Sequence, residues 1–315
     1  MKRLLSLVLF LILTCGCAMA GGPYIRMPEV VVARTGKPVS ISYRKSKDSP
    51  AGSMTLRDAG GNVLAEAETA AGASRGKITL PAGIVPDHGQ TVTVWFHHDS
   101  MTELQGELLL AVDDRSSGIY RVQTGEKRIA ITFDSTGRGA KADKLLDLLD
   151  RYDVKCTFFF QGSGLEENPE YAVRVSKHGH EMANHSMYHP DMREINDEKI
   201  LREIRNCNDI IRDTTGQTVR FYRPPAGYYT YRDLAISRAL GCEMILWTFD
   251  SKDGGFGLPL NTILGRLRQN SEPGAIILMH DYGEWTVQAL ETYIPEMQAQ
   301  GYEFVTVGEL LKYRQ

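Results

Sequence analysis

The chain reads as an α/β protein: a distorted (β/α) barrel of about seven units, preceded by a small all-β, sandwich-like region. Three observations predict this. From about residue 119 onward, short apolar runs alternate with segments of helical spacing, the pattern of a parallel sheet with helical crossovers. Before residue 115, seven short β-rich runs follow one another with turn residues between them, the pattern of a small sandwich. The length of 315 residues suits about two domains, and 42% hydrophobic with 24% charged residues excludes a disordered or fibrous chain. The formal charge of −3 argues against a nucleic-acid binder, which is usually basic.

Residues 1–20 read as an export signal. Lys2 and Arg3 give a positive start, Leu4 to Thr14 is almost wholly apolar but short for a bilayer span, and Ala18-Met19-Ala20 is a small-x-small cleavage site with Gly21 following. A lipid anchor at Cys17 is the second reading, because Gly16 and Cys17 suit a lipoprotein signal while Thr14 does not. The expected location is periplasmic or secreted, or membrane-anchored in the second reading. No later apolar run is long enough to cross a membrane.

The expected sandwich, 21–115, has strands at 29–33, 40–43, 53–57, 63–66, 76–80, 91–96 and 106–112, with turn signals at Gly60-Gly61 and Asp87-His88-Gly89. Adjacent His97 and His98 would face opposite sides of a strand, which argues against a paired ligand. Asp113 to Gly118 reads as a linker into the second unit, 116–315. There the strands are expected at 129–133, 155–160, 221–223, 243–248, 275–279 and 303–306. The helices are expected at 143–152, 169–177, 198–213, 231–240, 261–269, 286–300 and 307–313. Asn168 is placed to cap the helix that begins at Pro169. Cys156, Cys207 and Cys242 form no CxxC pair, so buried free thiols are the preferred reading over one disulfide plus an odd cysteine.

In such a fold the chemistry gathers where strands end at their carboxyl termini. Asp134, Arg223, Asp250 with Asp253, and His280 follow four of the expected strands. His185 and His189 are four apart, so one helical turn would aim both imidazoles the same way as a clip for a transition metal. His178 and His180 read as structural, His180 through ring hydrogen bonds to a neighbouring loop.

The set Thr132-Phe133-Asp134, His185-Ser186-x-x-His189, Arg223-Pro224-Pro225-x-Gly227, Asp250-x-x-Asp253 and Leu278-x-His280 resembles the polysaccharide deacetylases of carbohydrate esterase family four, over roughly residues 119–313. The resemblance implies a distorted barrel that hydrolyses N-acetyl groups, or O-acetyl groups on xylan, with one divalent metal, zinc first and cobalt or nickel next. It implies His185 and His189 as metal ligands, Asp134 as the base that deprotonates a metal-activated water, and His280 as the acid that protonates the leaving amine. Asp253 would keep His280 protonated, Arg223 would hold Asp134 ionised, and the Ala226 amide would meet the oxyanion beside Pro225, with Asp250 near the substrate.

Three departures stand out. Ser135 replaces the aspartate that usually completes the metal triad and is a poor zinc ligand. Gly254 replaces a tryptophan that walls the acetyl pocket, a role for which Trp285 or Phe256 is available. Ala226 replaces a tyrosine. The expected function is therefore a metal-dependent de-N-acetylase of an extracytoplasmic N-acetylhexosamine polymer such as peptidoglycan, an exopolysaccharide or a chitin-like chain. An O-acetyl esterase and a catalytically weak glycan-binding descendant are the alternatives.

Overall fold

The computed structural model describes residues 24–47, 50–85, 89–97, 104–138, 142–255 and 257–315. The expected leader with Cys15 and Cys17, the turn residues Asp87 and His88, His98 and Phe256 lie outside them.

Eight strands form the N-terminal part: β1 Ile25–Arg26, β2 Val30–Arg34, β3 Val39–Lys45, β4 Gly52–Arg57, β5 Val63–Thr69, β6 Arg75–Leu80, β7 Gln90–His97 and β8 Leu104–Asp113. Seven match the expected strands; β1 is too short to leave a periodic signal. They make two sheets, ordered β1-β3-β6 and β2-β8-β7-β4-β5. Ile41, Tyr43, Ile78 and Leu80 of the first face Met54, Leu56, Val92 and Leu110 of the second across one core. Alternation puts one side of β3 inside, with Ile41 and Tyr43 buried between exposed Ser40, Ser42 and Arg44.

The remainder is a curled, wholly parallel sheet. Its strands are β9 Arg128–Ser135, β10 Thr157–Phe160, β11 Glu181–Asn184, β12 Phe221–Tyr222, β13 Glu243–Met244, β14 Phe249–Asp250, β15 Ile276–His280 and β16 Glu303–Phe304. They run in the order β13-β12-β11-β10-β9-β15-β14, and β16 joins the start of β9. The crossover helices are α1 Ala142–Arg151, α2 Gly162–Glu167, α3 Pro169–Lys177, α4 Asp197–Thr215, α5 Tyr231–Ala239, α6 Leu260–Asn270 and α7 Thr286–Ala299, and α8 Val307–Leu310 follows the last strand. Strands β9 and β10 are covered on both faces, which is why they read as continuous apolar runs rather than alternating ones.

The structure corrects several expectations. Of the run 243–248 only Glu243–Met244 is strand, and a second short strand follows at Phe249–Asp250, so Asp250 lies within β14 rather than beyond a long strand. Asn168 heads α3 without a side-chain cap; its Nδ2 donates instead to the Arg138 carbonyl at 3.1 Å. The linker is tied down, with Arg238 paired to Asp114 at 2.6 Å. All three described cysteines are buried free thiols, as expected. No helix among the described residues is long and apolar enough to cross a membrane.

Candidate active site

Asp134 is the penultimate residue of β9, and His280, the last of β15, lies directly opposite it in register. Parallel pairing thus sets one acidic and one imidazole side chain on neighbouring strand ends. Arg223 follows β12 and is wholly buried. Its Nη1 donates to Asp134 Oδ1 at 2.7 Å, its Nε to the Ile245 carbonyl at 3.2 Å and its Nη2 to the Leu246 carbonyl at 3.0 Å. The guanidinium lies 3.9 Å over the Phe159 ring. Burial pushes the Asp134 pKa up, but its electrostatic contacts with His185, Arg223 and His280 outweigh it and hold the carboxyl below its ordinary value.

The second pair has the opposite polarity. His280 Nδ1 donates to Asp253 Oδ1 at 2.9 Å, and its amide donates to Asp253 Oδ2 at 3.0 Å. Ser251 and Thr286 hydroxyls also donate to that carboxylate, at 2.9 and 2.5 Å. Burial pulls the imidazole pKa down; Asp253, with help from Asp134 and Asp250, more than reverses this and raises it above 6.5. One ionised carboxylate therefore faces one imidazole biased toward its protonated form, the split that acid–base catalysis needs.

His185 and His189 do come together, with ring centroids 5.0 Å apart. The expected helical turn is absent. The segment after β11 is a loop in which Ser186 and His189 take left-handed backbone, φ 67 and 59. Asn184 Oδ1 accepts the Ser186 amide at 2.7 Å, Ser186 Oγ accepts the His189 amide at 2.9 Å, and Glu203 of α4 accepts the Tyr188 amide at 2.8 Å. These bonds hold an otherwise strained conformation.

His185 Nδ1 donates to the Arg223 carbonyl at 2.9 Å, which leaves Nε2 as an electron-pair donor 3.4 Å from Asp134 Oδ2. This backbone anchor on the far nitrogen is how metal-ligating imidazoles are oriented. Ser135 does not complete a triad. Its Oγ donates to Asp281 Oδ2 at 2.5 Å, an oxygen that Tyr171 OH also reaches at 2.7 Å. Among the described residues no group of three or more His, Cys, Asp or Glu side chains stands ready to enclose a metal. The donors fit a two-imidazole cation site beside Asp134, not a closed three-ligand one.

The other predicted residues fall as follows. Pro225 and Ala226 form a tight turn after Arg223, with Ala226 at φ 53 and the Tyr228 amide closing onto the Pro225 carbonyl. Asp250 is engaged by Lys252, through its amide and its ammonium, both at 2.7 Å, which shapes the loop to Asp253. Gly254 is explained by contact: a Cβ there would fall 2.3 Å from His280 Nδ1. Trp285 packs against the main core, beside α7. His178 pairs with Asp150 at 2.5 Å, and buried His180 accepts the Cys156 amide at the foot of β10, its pKa lowered to about 4 by burial.

Sequence reasoning missed Asp281, Tyr171, Trp247 and Tyr282. Trp247 lies 5.6 Å from Arg223 and covers Gly227, where a Cβ would fall 2.5 Å from the indole. Tyr282 stands 5.3 Å from His280. Asp281 and Tyr282 directly follow a strand-end histidine, and that position was the available signal.

Comparison with known proteins agrees with this geometry. The family model described as polysaccharide deacetylase matches residues 121–245. A peptidoglycan-N-acetylglucosamine deacetylase of Bacillus cereus is 34% identical over 199 residues, 62% of this chain and 93% of that protein. The chain belongs to the polysaccharide deacetylase family. The deacetylase fold is shared with a Bacillus anthracis protein described as a CE4 family pseudoenzyme, with 27% identity, a TM-score of 0.61, and coverage of 71% of this chain and 85% of that one. A mutant of that pseudoenzyme described as having restored enzymatic activity matches at 28% identity and the same TM-score, over 71% of this chain and 88% of its own.

Proposed function

We propose that this deacetylase hydrolyses N-acetyl groups on an N-acetylhexosamine polymer outside the cytoplasm, peptidoglycan first among the candidates. The observation that carries this is the opposed pair of strand ends: ionised Asp134 held by Arg223, and His280 held by Asp253. Asp134 accepts a proton from the attacking water. His280, with Nδ1 fixed on Asp253, presents Nε2 to the departing nitrogen and donates a proton to it. Arg223 keeps Asp134 ionised and oriented, and the Pro225–Gly227 turn leaves the Ala226 amide for the developing oxyanion, because Pro225 has no N–H and the Gly227 amide donates to the Pro224 carbonyl. A divalent cation held by His185 and His189, zinc, cobalt or nickel, would polarise the acetyl carbonyl and acidify the water.

A second reading rests on Ser135. Its hydroxyl is committed to Asp281, and a similar structure is described as a pseudoenzyme. On that reading the chain grips glycan with weak turnover. Acetate release by the mature protein with zinc or cobalt separates the readings. Release from N-acetylglucosamine oligomers or peptidoglycan supports the amidohydrolase, and release from acetylated xylan alone supports an O-acetyl esterase. Binding without any release supports the glycan-binding reading. In an active preparation, Asp134→Asn should lower kcat by about 10²–10⁴-fold with an unchanged circular dichroism spectrum.

A further inference from the structure

Three arginines stand in one row across the smaller N-terminal sheet. Arg26 pairs in register with Arg44 across β1 and β3, and Arg44 pairs with Arg75 across β3 and β6. All three are exposed, and so is Lys77, two residues from Arg75. Directly opposed residues share a sheet face, and like charges so placed repel. The three strands contain no Asp or Glu. Among the described residues no carboxylate forms an ion pair with any of the four cations. The fold gains nothing from this row, so its arrangement points outward to an anionic ligand.

The row lines a groove of about 540 Å³ in which Glu198 is the one carboxylate facing four cations. A second concavity of about 700 Å³ shares Pro28 and Glu198 with the first and extends to Arg193 and Arg232. Those two arginines are paired with Asp191 and Asp197, so the uncompensated charge sits at the sandwich end. Arg193 lies 4.0 Å over the Tyr228 ring, and Tyr228 closes the turn that follows Arg223. The two concavities therefore lead from the arginine row to the rim of the catalytic site.

We infer that this path binds a distal stretch of a glycan bearing carboxylates, with the arginine row gripping carboxylates remote from the reacting acetyl group. This deepens the proposed function, on which it rests: it selects a carboxylate-bearing polymer, of which peptidoglycan with its lactyl and peptide carboxylates is one, over a neutral chitin-like chain. Guanidinium groups suit the task because each can bind a carboxylate through two parallel N–H donors.

The test is sedimentation of the mature protein with purified peptidoglycan stripped of phosphate polymers, and with chitin, at low and at high salt. Wild type should bind peptidoglycan tighter than chitin, with salt weakening only the former. Arg44→Gln with Arg75→Gln should weaken peptidoglycan binding by roughly tenfold, leave chitin binding unchanged, and be partly rescued by Arg→Lys at both positions. Equal binding of the two polymers, or unchanged peptidoglycan binding by a folded double variant, overturns the inference. So does a double variant that loses only its binding to anionic lipid vesicles. Because the readout is binding, a protein that releases no acetate yet shows the predicted selectivity refutes the hydrolase reading and leaves the groove in place.

Discussion

In the sandwich, most charge lies outward along the strands, with buried Lys45 and Asp113 at strand ends as exceptions; in the barrel it lies inward at the strand ends. β3 carries Arg44 on its exposed face while Ile41 and Tyr43 fill the core. β9 is buried on both sides until Asp134, where a fully buried arginine meets it. An exposed arginine is stable alone in water, whereas a buried one must be paired. The two regions show that partnership, more than residue type, separates a charge available to a ligand from a charge built into a catalytic apparatus.

The greatest damage is expected from breaking a barrel pair. Arg223→Met strands Asp134 in the interior and should cost about 3–5 kcal/mol of stability, read as a fall in urea midpoint, with turnover lost as well. The equivalent change at Arg44 should shift stability within about 0.5 kcal/mol. Comparable losses at both sites would erase the contrast.

Next comes Gly254→Trp, which installs the aromatic common in the family. Because His280 occupies that space, kcat should fall by roughly 10²-fold while the circular dichroism spectrum holds. Improved turnover would show that His280 has another working position.

The pH profile sharpens the contrast between the two pairs. In the proposed mechanism His280 acts in its protonated form, and Asp253 raises its pKa above that of an ordinary histidine. Activity should therefore persist past the pH range in which an ordinary histidine loses its proton, and fall at higher pH. Asp253→Asn removes the raising charge, so the falling limb should move to lower pH; a limb that stays in place contradicts the role given to Asp253.

Smallest is the effect of Ser135→Asp. A carboxylate would replace the hydroxyl that donates to Asp281, placing two acids together at a cost of about 1–3 kcal/mol without metal. Zinc should restore the melting temperature of this variant more than it raises that of wild type. An equal zinc response would mean that residue 135 does not face the cation.

The legibility of the chain follows from the range of its interactions. The runs 129–133 and 275–279 were readable because strands covered on both faces stay apolar throughout. β11 was not, because Glu-Met-Ala-Asn lacks β-branched residues, and α2 was hidden by its two glycines. The strand-end chemistry of Asp134, Arg223, Asp253 and His280 was visible as motifs. The histidine pair was found for a wrong reason: its spacing suggested a helical turn, yet left-handed backbone at Ser186 and His189 makes the approach, and neither residue type announces that conformation. The bond between Ser135 and Asp281 spans 146 residues, so no local pattern could reveal it.

Strand β8 alternates between two interiors. Leu108, Leu110 and Val112 belong to the sandwich core, while Leu109 and Ala111 belong to the barrel core. A single ribbon of backbone thus serves as the common wall of both compartments, and trimming the chain near residue 115 would leave helices α4 and α5 with an uncovered greasy flank. The amino-terminal portion is for this reason a structural tenant of the hydrolytic half, and a groove laid across both would keep its shape as the molecule tumbles.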